Sequence, residues 1–99
     1  MTTFDLIDAE GRVFAFEIPN IGREEFCQIV QSFPGVRVVR SPKFLSGFRE
    51  EEFCEFELSG QTFGAWEPFG DNSRYWVGPE PVGCGEQVAI IRDLFRGCV

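Results

Sequence analysis

The chain has 99 residues, 43% apolar and 25% charged, which suits one folded domain and excludes both a second core of useful size and a disordered chain. Nine Lys and Arg stand against 16 Asp and Glu, a net charge of −7. That balance argues against a nucleic-acid-binding surface, which needs clustered cations to displace counterions from phosphate, and favours a basic partner.

Residues 3–8 alternate, with Phe4 and Leu6 on one face and Asp5 and Ile7 on the other. Ala9-Glu10-Gly11-Arg12 reads as a turn, and residues 13–18 alternate again with Phe14, Phe16 and Ile18 expected inward, so the two segments predict a hairpin. Pro19-Asn20 ends the second strand. Asn20 or Gly22 can cap a helix whose first turn carries Glu24 and Glu25, where the helix dipole favours anions. Phe26, Ile29, Val30 and Phe33 recur at helical spacing, and Pro34-Gly35 stops the helix. Val36–Arg40 is a β-branched strand, and residues 41–49 read as an ordered loop containing Pro42 and Gly47. Glu52–Leu58 and Gln61–Trp66 form the clearest hairpin, joined at Ser59-Gly60. A short sixth strand covers 74–77, and a rigid connection covers 78–83. A second helix, Glu86–Arg96, sets Val88, Ile91, Leu94 and Phe95 on one face with Gly97 just beyond its end.

The order ββαββββα predicts a single α+β domain spanning residues 1–99. It would be an antiparallel sheet of about six strands with two helices packed on one face. Two short helices cover one sheet face, so the other is solvated or covered by a partner.

Seven aromatics fall between positions 53 and 77: Phe53, Phe56, Phe63, Trp66, Phe69, Tyr75 and Trp76. A two-residue loop at Ser59-Gly60 pairs Leu58 with Gln61, Phe56 with Phe63, Cys54 with Ala65 and Phe53 with Trp66. Cys54, Phe56, Leu58, Phe63 and Ala65 then share the helix-covered side, with Tyr75 and Val77 beside them. The opposite face carries Phe53, Trp66 and Trp76 among Glu55, Glu57 and Arg74. Large rings beside charges on an open sheet face make a binding platform. A three-residue loop with a bulge would instead send every one of these side chains to the other face.

The chain has no histidine, so no Ser-His-Asp or Cys-His arrangement can form, and no zinc or C-x-x-C spacing joins Cys27, Cys54, Cys84 and Cys98. Glu50, Glu51, Glu52, Glu55, Glu57, Glu67 and Asp71 could supply paired carboxylates, but on a solvated strand they stay ionised and serve solubility or edge protection. Asp71, Asn72 and Ser73 are turn formers. Cys84, between two glycines before the last helix, is the cysteine best placed for a lowered pKa. The first residues carry no basic and apolar leader pattern, and no apolar run approaches the roughly 18 residues that span a bilayer, so a cytoplasmic protein with reduced thiols is expected.

These features point to a small acidic non-enzymatic protein-binding domain, analogous in size, charge and fold class to immunity proteins, inhibitors and chaperones. Its partner-binding residues would be Phe53, Glu55, Glu57, Trp66, Arg74 and Trp76. Its partner would be a basic protein or its own copy, with no cofactor, metal, nucleic acid or membrane. Two alternatives stay open: a small-ligand or carbohydrate-binding module around Trp66, Trp76 and the 67–73 loop, and an enzyme using carboxylates or Cys84.

Overall fold

The two N-terminal alternating segments form strands β1 (Phe4–Ile7) and β2 (Val13–Pro19) in the computed structural model, which describes residues 1–40, 52–67, 74–80 and 86–98. Their turn closes because the Asp8 carboxylate accepts the backbone N–H groups of Glu10 and Arg12, each at 2.9 Å, and Gly11 takes φ +82°. Asn20, at φ +62°, turns the chain out of β2, since asparagine tolerates the left-handed region better than most residues. Helix α1 (Arg23–Ser32) follows with Gly22 as its N-cap, and Glu24 and Glu25 lie in its first turn.

Strands β3 (Val36–Arg40), β4 (Glu52–Leu58), β5 (Gln61–Trp66) and β6 (Arg74–Pro79) and helix α2 (Glu86–Arg96) complete the described elements. All six strands join one antiparallel sheet in the order β1-β2-β6-β5-β4-β3, so the α+β architecture is as expected. The last strand enters the sheet centre, between β2 and β5, which accounts for the burial of Tyr75, Val77, Gly78 and Pro79. Residues 41–51, Phe69, the turn formers 71–73 and Cys84 lie outside the described residues.

The helix-covered face collects Phe16, Ile18, Cys54, Phe56, Leu58, Phe63, Ala65, Tyr75 and Val77, all buried. The helices add Phe26, Cys27 and Val30 from α1 and Val88, Ile91 and Phe95 from α2. Phe26 and Phe95 stack at 5.1 Å and join the two helices; Phe95 also meets Phe16 at 5.8 Å and Phe33 at 5.0 Å. Each such ring removed from water contributes about 1.5–3 kcal/mol. The β1–β2 register shifts between Leu6 and Ile7 of β1, so Val13 of β2 opposes Ile7 and packs against the core, while Phe14 is half-buried. Asp5 projects to the helix side, where Arg92 and Arg96 of α2 approach its carboxylate at 3.1 and 3.5 Å and fasten the edge strand.

Candidate functional site: the helix-free sheet face

Ser59 and Gly60 take φ of +52° and +80°, the two left-handed residues a tight primed hairpin turn requires. Five pairs therefore follow the two-residue register: Leu58 with Gln61, Glu57 with Thr62, Phe56 with Phe63, Glu55 with Gly64, and Cys54 with Ala65. The sixth does not. The ladder shifts between Glu52 and Cys54, and Trp66 opposes Glu52 rather than Phe53.

The extra residue turns Phe53 into the core, which corrects its expected place on the outer face. It is fully buried, with its ring 4.5 Å from that of Tyr75 and 5.4 Å from that of Phe26, and the Arg23 guanidinium lies 5.2 Å from its ring centre. A bulge costs one ladder position and gains the burial of a whole ring, and burial wins. Phe53 is therefore unavailable as an anchor for a partner.

Directly opposed residues share a face, so the pairing defines rows across the side that carries neither of the described helices, α1 and α2. One row runs Phe4, Glu17, Trp76, Trp66 over β1, β2, β6 and β5. The next runs Leu6, Ala15, Gly78, Gly64, Glu55, and the third includes Thr62, Glu57 and Arg37. Trp66, Trp76, Glu55, Glu57 and Arg74 thus lie where parity puts them. Trp66 and Trp76 are neighbours on adjacent strands, both half-buried, and Phe4 at the end of their row is 52% exposed.

Glu17, which parity within the hairpin could not reach, organises the centre of this face. Its Oε2 accepts the Trp76 indole N–H at 2.9 Å, and its Oε1 lies 3.4 Å from Arg74 Nη1. The polar tip of Trp76 is thereby satisfied and its ring held in place. Arg37 donates to Glu57 at 2.7 Å on the far side. The only sequence signal for Glu17 is a carboxylate between the inward Phe16 and Ile18; its neighbours depend on β6 lying next to β2.

A second charged group sits at the rim of the core. Glu67 belonged among the solvated carboxylates by sequence, yet its side chain is 3% exposed and its Oε1 accepts Arg23 Nε at 2.9 Å and Nη2 at 2.5 Å. Burial pushes the Tyr75 phenol pKa up, and the Glu67 charge adds to that rise. The charge of Arg23 and its hydrogen bond to the phenol oppose it. These groups satisfy one another.

Among the described residues no cluster of three or more Cys, Asp or Glu side chains is arranged to hold a metal ion, and no helix is long and apolar enough to cross a membrane. Comparison with known proteins gives no match: no protein-family model, no curated protein and no solved structure resembles the chain significantly.

Proposed function

We propose that this is a non-enzymatic domain that binds a basic protein through its helix-free sheet face. Trp66 and Trp76 are the anchors, Phe4 extends their row, and Glu17, Glu55, Glu57 and Arg74 form the charged surround. The observation that carries this reading is the cross-strand indole pair on the side away from both helices. Tryptophan and arginine dominate the energetic centres of protein interfaces, and a ring whose polar tip is already bonded loses little on desolvation. The partner is basic because the chain carries −7 and because Glu17, Glu55 and Glu57 all lie on this face. The domain works in the cytoplasm, where its cysteines persist as thiols.

The test is affinity capture with the wild-type chain and with Trp66→Ala/Trp76→Ala, after circular dichroism shows that the double variant is folded. A basic protein retained by the wild type, released by added salt and lost from the folded variant is the expected result. Capture of the same proteins by both overturns the reading. Concentration-dependent sedimentation of the chain alone, abolished by the same substitutions, would instead make a second copy the occupant.

A further inference from the structure

Alone among the described strands, β1 sends no apolar side chain to the core. It is the terminal strand of the sheet, paired with β2, and its ladder is interrupted between Leu6 and Ile7. None of its four residues belongs to the core cluster or packs against it, and Phe4 and Ile7 are 52% and 58% exposed. Ahead of the strand, Met1 packs against the core and Thr3 is buried.

Toward the helices β1 turns a charge. Asp5 Oδ2 accepts Arg92 Nη1 at 3.1 Å; its Oδ1 lies 3.5 Å from Arg96 Nη2, buried and without a hydrogen bond among the described residues. Neither arginine is devoted to this carboxylate. Arg92 Nε donates to Asp93 at 3.1 Å, and Arg96 Nε donates to the Thr3 hydroxyl at 2.7 Å. A carboxylate drawn partly out of water, with one oxygen unbonded, returns little net energy from its ion pairs, whereas a buried ring is held by its whole area.

We propose that β1 is a releasable strap: it leaves β2 as one unit while the rest of the chain stays folded, and the Asp5–Arg92–Arg96 latch sets how often it does so. The core rings keep their places in the open state, because none of them belongs to β1. The pivot is Ile7-Asp8, since the turn that follows is closed by its own bonds from Glu10, Gly11 and Arg12 to Asp8. Release uncovers the β2 edge from Ala15 to Glu17 and removes Phe4 from the row Phe4, Glu17, Trp76, Trp66.

The test is native-state hydrogen exchange of the whole chain in increasing, sub-denaturing urea. The amides of residues 4–7 and the β2 amides bonded to them should exchange together, about 100-fold or more faster than those of β5 and β6, with little dependence on urea. Asp5→Asn should speed this group by about 5–30-fold and leave its urea dependence small. Exchange of β1 with the same opening energy and urea slope as β5 and β6 overturns the proposal. So does a steady gradient of rates along β1, the mark of fraying from one end. An unchanged β1 rate in folded Asp5→Asn removes the latch. Arg92→Gln, with the same expected acceleration, takes its place if Asp5→Asn fails to fold.

Discussion

Gly78 stands where β6 runs closest to β2: a Cβ placed there would lie 3.0 Å from the Ala15 Cβ and 3.1 Å from the Phe14 carbonyl oxygen. Both contacts are with rigid parts of the neighbouring strand, so Gly78→Ala should destabilise the fold by about 1–3 kcal/mol, read from the denaturant midpoint. The buried carboxylate of Glu67 makes the opposite point about charge. Arg23→Met removes the guanidinium from this carboxylate and should cost about 2–4 kcal/mol, while Arg23→Met/Glu67→Leu should recover most of that loss, because desolvating the ion pair costs much of what the pair returns. Tyr75 sets an alkaline limit. Its pKa is raised in the folded chain, so its contribution is fully present below the ordinary tyrosine value near 10 and is lost as pH rises through the higher folded value. Thermal midpoints measured from pH 9 to 11.5 should fall for the wild type and fall less for Tyr75→Phe. None of these three roles is written locally in the sequence. Glu67 reads as a solvated acid until Arg23, 44 positions away, is folded beside it.

At the scale of elements, most of the strands and both helices were legible because period and punctuation agree. Phe26, Val30 and Phe33 keep helical spacing up to Pro34-Gly35, and Ser59-Gly60 supplies a turn whose register sorts Phe56 and Phe63 from Glu55 and Glu57. The β4 bulge was not legible. It exists because Phe26, Tyr75 and Arg23 build a site for one more ring, and all three are distant in sequence. The position of β6 was equally hidden, since strand order is a non-local choice, and with it went the role of Glu17. The bulge gives a clean contrast between two neighbouring rings. Phe53→Ala should cost about 3–5 kcal/mol of stability, because it empties the space between Phe26 and Tyr75. Trp66→Ala should cost no more than about 1–2 kcal/mol, because its ring is only half-buried in the folded chain. Chemical denaturation of the two variants side by side checks both figures.

At the scale of the whole molecule, the sheet divides the aromatic residues into two populations. One faces the described helices and stabilises the fold; the other, Trp66, Trp76 and Phe4, faces away and is the one through which we propose a partner binds. Long-range attraction from that charge should act mainly on the association rate, so the on-rate for a basic partner should fall about tenfold or more between 50 and 300 mM salt while dissociation changes little. Both tryptophans of the chain lie on the sheet face away from α1 and α2, so a tryptophan-specific probe reports on that face alone. The most direct test is a fluorine NMR titration of 5-fluorotryptophan-labelled chain with the captured basic protein. The account predicts that both resonances, from Trp66 and Trp76, shift or broaden together and saturate at one equivalent. Saturable binding that leaves both resonances unmoved would contradict it.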